Sequence, residues 1–138
     1  MEKTTILIVE DEAIVAADLA SKLRRLGYEV VGIAAEGMEA VELACSLKPR
    51  VVLMDIRIKG AMDGIEAAEI IRSRIDVSVI FLTAHSDIAT LGRTRISDPC
   101  GFILKPFDEH ELATRIEMAV SSAVAGRVRE KQLPNLEI

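Results

Sequence analysis

Short runs of branched apolar residues alternate five times with longer amphipathic stretches along this chain of 138 residues. A short branched run is typical of a strand covered on both faces, and an amphipathic stretch is typical of a helix that packs on such a sheet. The alternation therefore predicts βα units around a parallel sheet. We predict strands at residues 5–10, 29–34, 51–55, 79–83 and 101–104.

Five helices are predicted between and after these strands. The second runs from Gly37 to Leu47, the third begins near Gly64, and the fifth begins after Asp108, which can act as its N-cap. The fourth, at residues 88–97, is the least regular because glycine and threonine occupy interior positions. On the other four helices we expect these residues to face the sheet: Val15, Leu19, Leu23, Leu26, Val41, Ala44, Leu47, Ile65, Ala68, Ile71, Leu112, Ile116, Ala119 and Ala123.

The order of the strands follows from the handedness of parallel connections. Right-handed crossovers place helices on both faces only if the sheet winds outward in two directions from an early strand. The doubly wound order with five strands is the flavodoxin-like 2-1-3-4-5. We therefore expect an α/β fold, a doubly wound (βα)5 domain with a five-stranded parallel sheet, over residues 5–125. We expect residues 126–138 to form a tail and not an output domain.

Polar residues stand at the ends of four predicted strands. They are Glu10 and Asp11 after strand one, Asp55 at the end of strand three, Thr83 at the end of strand four and Lys105 after strand five. Strands one and three are neighbours in the predicted order, about 5 Å apart. The three carboxylates should therefore meet at the carboxyl edge of the sheet, where such folds bind ligands.

Three clustered carboxylates repel one another unless a cation lies among them. Mg²⁺ suits a site where one or two carboxylates bind and the other positions stay open to water or phosphate. Lys105 would add a positive charge, and Thr83 a hydroxyl donor, to a phosphoryl group held there. Because a carboxylate can accept a phosphoryl group covalently, we interpret the cluster as a phosphoryl-transfer site.

Each of these residues also has a structural explanation when it is taken alone. Asp11 could cap the first helix, and Asp55 could form a structural ion pair with Lys105 at the sheet edge. Asp63 and Gly64 are interpreted as the turn and cap that lead into the third helix. The joint occurrence of the strand-end residues favours a functional site.

Composition narrows the classes of partner. A net charge of −5 and the lack of a basic run argue against direct binding to nucleic acid. No apolar run approaches the length of a membrane span, and the first residues lack the pattern of a signal peptide, so we expect a cytoplasmic protein without a membrane partner. Cys45 and Cys100 are expected to be reduced core thiols.

Five segments together resemble the receiver domain of two-component response regulators. The segments are residues 6–12, 52–55, 62–64, 81–84 and 101–107. The resemblance implies a phosphorylation-activated signalling switch that accepts a phosphoryl group from a histidine kinase on Asp55, in a Mg²⁺-dependent reaction, and then changes its partner contacts. Such a domain catalyses only its own phosphorylation and dephosphorylation.

The resemblance also implies a set of metal ligands. Mg²⁺ would be bound by Glu10, Asp11, Asp55 and the backbone carbonyl of Arg57. Glu10 departs from the family pattern, in which aspartate is common at this position, but it keeps the charge. Arg57 and His85 each lie two residues past a site residue, where they could obstruct or orient the attacking water and so set the lifetime of the phosphorylated state.

The resemblance also implies that Thr83 and Lys105 bind the phosphoryl oxygens and that the bond between Lys105 and Pro106 is cis. Thr83 and Phe102 would take part in the conformational switch. None of these roles follows from spacing alone.

The partners implied by the resemblance are a sensor histidine kinase or phosphotransfer protein and a downstream effector protein. A homodimer through helix four, strand five and helix five is a further hypothesis. The loop at residues 57–62 is one residue longer than usual in the family and lacks its proline, so contacts made there transfer less directly. Two alternatives stay open: a phosphate-independent interaction module, and a small-molecule phosphatase that uses an aspartyl-phosphate but would need a substrate pocket.

Overall fold

The described part of the protein, residues 3–87 and 101–121 of a computed structural model, contains five strands and four α-helices. The fourth predicted helix, Ala123, Cys100 and the predicted tail lie outside these residues. The elements are β1 (Thr5–Val9), α1 (Ala13–Arg25), β2 (Glu29–Ala34), α2 (Gly37–Leu47), β3 (Val51–Asp55), α3 (Gly64–Arg74), β4 (Ser78–Thr83), a 3-10 turn (His85–Asp87), β5 (Phe102–Leu104) and a helix at residues 109–121.

The strands form one parallel sheet in the order β2-β1-β3-β4-β5. This confirms the predicted fold class and strand order, and each strand boundary falls within one residue of its prediction. β3 lies at the centre, and its five residues are all buried. In the register of the sheet, Asp55 of β3 is opposite Leu82 of β4, and Thr83 of β4 is opposite Leu104 of β5.

The core consists of two apolar layers, one on each face of the sheet. Because successive side chains of a strand point to opposite faces, Ile6 and Ile8 pack in the layer beneath α1 and the 109–121 helix. Leu7 and Val9 pack in the layer beneath α2 and α3. Both faces of β1 are therefore covered, as its unbroken apolar run predicts.

Most of the apolar residues predicted to face the sheet are buried or partly buried, but two predictions are wrong. Val15 is 39% exposed because it lies near the start of α1, beside a groove at the carboxyl edge. Leu47 is 41% exposed because it lies in the last turn of α2 against Gly32 of the edge strand β2. The confirmed residues in the described ranges are Leu19, Leu23, Leu26, Val41, Ala44, Ile65, Ala68, Ile71, Leu112, Ile116 and Ala119.

Side-chain caps start two of the helices. At α3 the Asp63 carboxylate accepts a hydrogen bond from the Glu66 amide at 2.9 Å, and the Glu66 carboxylate accepts one from the Asp63 amide at 3.3 Å. Asp108 accepts from the Glu111 amide at 2.8 Å, which confirms its predicted role. The residue at the N-cap of α1 is Glu12, without a side-chain capping bond, so Asp11 does not serve as the cap there.

Two further predictions concern the thiols and the membrane. Cys45 is a partly buried free thiol packed against the apolar layer beneath α2 and α3. Within residues 3–87 and 101–121, no helix has the length and apolar composition needed to cross a membrane.

Candidate functional site

Side chains from four strand ends meet at the carboxyl edge of the sheet. Glu10, Asp55 and Thr83 are all buried there, with 4%, 8% and 1% of their surfaces exposed. Lys105 follows β5 and reaches across the edge to Asp55. Asp55 therefore contacts both Glu10 and Lys105, and Thr83 ends the strand that pairs with β3. Because these groups are buried, each one that is ionised requires a charged or hydrogen-bonding partner in place of water.

Asp55 is held by two donors, one for each carboxylate oxygen. Its Oδ2 accepts from the Lys105 ammonium at 3.0 Å, and its Oδ1 accepts from the backbone amide of Arg57 at 3.0 Å. The side chain of Asp55 is 11% exposed and that of Lys105 is 35% exposed. The ion pair expected as a structural alternative is therefore present, and it balances one carboxylate of the cluster.

Glu10 carries the negative charge that Lys105 leaves unbalanced. Burial, followed by a side-chain hydrogen bond and charge repulsion with Asp55, raises the pKa of Glu10 from its usual 4.5 to about 7, although Lys105 opposes this shift. Two carboxyl groups hydrogen-bond to each other only when one holds a proton. The Asp11 amide also donates to Glu10 Oε2 at 3.0 Å. Near neutral pH this part of the site holds either a proton or excess negative charge.

The raised pKa of Glu10 predicts an unusual pH dependence of stability. Between pH 4.5 and about 7 the folded protein binds a proton at Glu10 that the unfolded chain does not bind, so the free energy of unfolding falls as pH rises. The slope from this group is at most about 1.4 kcal/mol per pH unit. Chemical denaturation from pH 4 to 8 in a chelating buffer measures it, with Glu10→Gln as the variant that lacks the titrating group. Identical pH dependence in both proteins would contradict the prediction.

Thr83 ends β4, and Phe102 begins the neighbouring strand β5. The Thr83 hydroxyl donates to the Ala84 carbonyl at 3.1 Å, and the Thr83 carbonyl accepts from the Lys105 amide at 2.8 Å. Phe102 is half-buried against the layer beneath α2 and α3. The Lys105–Pro106 peptide bond is cis, as the resemblance implied. Thr83 and Lys105 are therefore linked through the backbone as well as through the site.

The donor set at this edge fits a hard cation. The carboxylates of Glu10, Asp11 and Asp55 and the carbonyl of Arg57 supply oxygen alone, which Mg²⁺ prefers. Within the described ranges, no three Asp, Glu, His or Cys side chains are already arranged to hold a metal ion. Mg²⁺ requires only one or two carboxylates, with water at its other positions. The excess negative charge at Glu10 and Asp55 thus fits the ion by charge and by donor chemistry.

Gly64 contributes to the site in a way that the sequence analysis missed. Its amide donates to the Ile56 carbonyl at 3.2 Å, so the start of α3 lies against the end of β3. A Cβ atom at this position would be 2.3 Å from the backbone oxygen of Asp55. The interpretation as a turn and cap is correct, but glycine is needed here for close approach to the backbone of Asp55. The sequence signal for this contact was the glycine at position 64, which follows the strand-end carboxylate of Asp55 in the chain.

Asp87 was also missed. It lies in the 3-10 turn after β4 and is only 6% exposed. Its Oδ1 accepts from Nε and Nη2 of Arg57 at 2.9 and 2.6 Å. The two residues are 30 positions apart, and no sequence motif marks them as partners. His85 begins the same turn, and its proposed influence on water remains a prediction.

A groove of about 310 Å³ opens beside the site. It lies between α1 and the segment that follows β5. Lining residues include Glu10, Val15, Lys22, Lys105 and Phe107. Lys105 therefore borders both the groove and the Asp55 carboxylate.

The chain is similar to known proteins along most of its length. Residues 6–117 match the response regulator receiver domain. The transcriptional regulatory protein PdtaR of Mycobacterium tuberculosis is 44% identical over 116 residues, which cover 84% of this chain and 56% of PdtaR. The chain thus spans little more than half the length of that relative.

Solved structures give the same match. The signal receiver domain of a modulated diguanylate cyclase from Desulfovibrio desulfuricans G20 is 36% identical, with a TM-score of 0.83 over 91% of this chain and 99% of that one. The receiver domain of sensor histidine kinase PA1611 from Pseudomonas aeruginosa PAO1 is 29% identical, with a TM-score of 0.75 over 87% of this chain and 99% of that one. That structure has a magnesium ion coordinated in its active-site cleft.

Proposed function

This chain belongs to the response regulator receiver domain family, and on that premise we propose that it is a signalling switch turned on by phosphorylation of Asp55. Receiver domains of this family act with histidine kinases and effector domains. The observation that carries the proposal is the buried Asp55 carboxylate, which is ion-paired with Lys105 at 3.0 Å and lies beside the buried Glu10. A structural ion pair alone would not require a second carboxylate whose pKa is raised to about 7.

In the proposed reaction an Asp55 oxygen attacks the phosphorus of a phosphohistidine. An oxygen–phosphorus bond forms, the nitrogen–phosphorus bond to the donor breaks, and the donor imidazole is released. Mg²⁺, when bound at Glu10, Asp11, Asp55 and the Arg57 carbonyl, would supply positive charge for the phosphoryl oxygens. Hydrolysis would return the carboxylate, as water attacks the phosphorus and inorganic phosphate leaves.

The protein's own groups favour this chemistry in two ways. Lys105 already contacts Asp55, so its charge is in place when the phosphoryl group arrives. The Thr83 hydroxyl, now bonded to a backbone carbonyl, can turn toward a phosphoryl oxygen at small cost because it exchanges one hydrogen bond for another. Burial of the site limits the access of water, which protects the acyl phosphate.

Incubation of the wild-type protein with acetyl phosphate and Mg²⁺, followed by intact mass, tests the proposal. We expect the added mass of one phosphoryl group, lost again on mild alkaline treatment because acyl phosphates are labile to hydroxide. A wild-type protein that gains no mass would contradict the proposal and would favour the phosphate-independent interaction module.

Removal of Thr83 or Lys105 is expected to uncouple phosphorylation from conformational change. Thr83→Ala and Lys105→Ala should still fold, but the response to phosphorylation should weaken by about tenfold, because the groups that hold the phosphoryl oxygens are lost. Amide exchange of β4 and β5, with and without acetyl phosphate, measures the response. Thr83→Ser is the matched control, since it keeps the hydroxyl and should respond like the wild type. A normal response in Lys105→Ala would show that its assigned role is wrong.

We further propose a cytoplasmic location, a sensor histidine kinase or phosphotransfer protein as the donor, and an effector protein as the reader. Phe102 would take part in the switch, and Arg57 and His85 would set the lifetime of the phosphorylated state. A homodimer would use β5, the 109–121 helix and the predicted fourth helix. Exposed apolar side chains on β5 and the 109–121 helix, Leu104 and Met118, support that surface.

A further inference from the structure

Arg57 joins two loops that both follow site residues. Its backbone amide donates to Asp55 Oδ1 at 3.0 Å, which fixes the start of the side chain beside the proposed acceptor. Its guanidinium extends to Asp87, in the turn after Thr83. The amide of Asp87 in turn donates to the Ala84 carbonyl at 2.9 Å and closes that turn. A continuous series of contacts therefore runs from the carboxylate of Asp55 to the backbone next to Thr83.

The two members of this ion pair lie in different surroundings. The side chain of Asp87 is 9% exposed, whereas that of Arg57 is 75% exposed. A carboxylate so deeply buried requires a cation or several hydrogen bonds, while an exposed guanidinium can leave without disturbing the core. The stability of the turn thus depends on a cation that approaches it from the solvent side. Any second anion within reach of Arg57 competes directly with Asp87.

We propose that Arg57 and Asp87 form a latch that phosphorylation of Asp55 opens. The inference rests on the proposed function and extends it to a residue outside the phosphoryl-binding set. In the unphosphorylated protein the guanidinium is bound to Asp87 and the turn is closed. In the phosphorylated protein the guanidinium turns to the phosphoryl oxygens, and the turn at residues 85–87 is released.

The chemistry of the two anions favours this exchange. A phosphoryl group on Asp55 presents three acceptor oxygens and nearly two negative charges. On Asp87, by comparison, a single carboxylate oxygen accepts both hydrogen bonds from Arg57. Arginine binds phosphate with two parallel hydrogen bonds, a geometry that a lysine cannot match. The flexible stem of Arg57 begins two residues from the acceptor. Once Arg57 leaves, the buried Asp87 carboxylate is left without this cation, which favours opening of the turn.

Binding of beryllium trifluoride, a phosphoryl mimic, tests the latch in the presence of Mg²⁺. In the wild type the mimic competes with Asp87 for the guanidinium of Arg57. We therefore expect Asp87→Asn to bind the mimic at least about fivefold more tightly than the wild type does. A merely structural role of Asp87 in the turn would leave the affinity unchanged or reduce it. Asp18→Asn is the matched control, because Asp18 is 63% exposed in a surface pair with Lys22. This control should bind the mimic like the wild type.

The rate of hydrogen exchange at the backbone amide of position 87 is the second measurement. We expect the mimic to accelerate it by about tenfold in the wild type, since a charge-assisted hydrogen bond that holds the turn is lost. In Asp87→Asn it should already be fast and should respond little. The latch would be overturned if Asp87→Asn bound the mimic no more tightly than the wild type, or if the mimic left the exchange rate of the wild-type amide at position 87 unchanged. Neither result would contradict the proposed function. A wild type that neither binds the mimic nor gains phosphoryl mass would overturn the proposed function, and the latch with it.

Discussion

Asp55→Asn is expected to reduce phosphoryl labelling by acetyl phosphate to an undetectable level. An amide carries no negative charge, and its carbonyl oxygen is a far weaker nucleophile than a carboxylate oxygen, so the covalent step loses its nucleophile. The substitution keeps the shape of the side chain, and it removes a carboxylate that repels Glu10. The variant loses the ion pair with Lys105, but Lys105 still faces the charge of Glu10, so we expect the variant to fold.

Intact mass after incubation with acetyl phosphate and Mg²⁺ measures this effect. Asp18→Asn again provides the control, since it removes an exposed carboxylate and should be labelled normally. Unchanged labelling of Asp55→Asn would place the phosphoryl group on another residue. Chemical denaturation of the same samples separates loss of the acceptor from loss of the fold.

Gly64→Ala is expected to cause a large loss of stability. Its Cβ would lie 2.3 Å from the Asp55 backbone oxygen and 3.1 Å from the Ile56 Cα, and backbone atoms cannot move aside as the end of a side chain can. We expect a loss of about 1–3 kcal/mol in the free energy of unfolding. Displacement of the Asp55 backbone should also slow labelling by up to about a hundredfold, because a shift of about 1 Å in a reacting group has effects of that size.

Gly32→Ala is the matched control for this prediction. The three atoms nearest to its Cβ would belong to the side chains of Leu47, Leu7 and Leu43, the closest at 3.3 Å, and these can adjust. Urea denaturation and the rate of labelling are the two measurements. If the Gly64→Ala variant were as stable and as quickly labelled as the Gly32→Ala variant, the close approach of residue 64 to Asp55 would be unimportant.

The order of the strands and the meeting of the site residues could be predicted because both depend on local pattern and general rules. An apolar run covered on both faces, such as Val51–Met54, identifies a parallel strand, and the handedness of crossovers then restricts the order. Once the order is known, Asp55 must lie beside Glu10 at the carboxyl edge, with Thr83 and Lys105 on the next two strands along that edge. The capping roles of Asp63 and Asp108 were predictable for the same reason, since a cap depends on a few neighbouring residues.

What could not be predicted depends on tertiary neighbours. Helical periodicity places Val15 and Leu47 on the stripes of their helices, but it does not show where the sheet beneath them ends. The pKa of Glu10 depends on its burial and on its contact with Asp55, and neither is visible in the order of the residues. The pairing of Arg57 with Asp87 depends on how two loops, 30 positions apart, pass each other.

The position of β3 between β1 and β4 separates the candidate site into two halves. On the side of β1 lie Glu10 and Asp11, and on the side of β4 and β5 lie Thr83 and Lys105. Substitutions that alter how the phosphoryl group is sensed can therefore accumulate on one side of Asp55 without changing the carboxylates on the other. Descendants of this sequence could bind new effector proteins while keeping the same phosphoryl acceptor, because the two halves of the site belong to different strands.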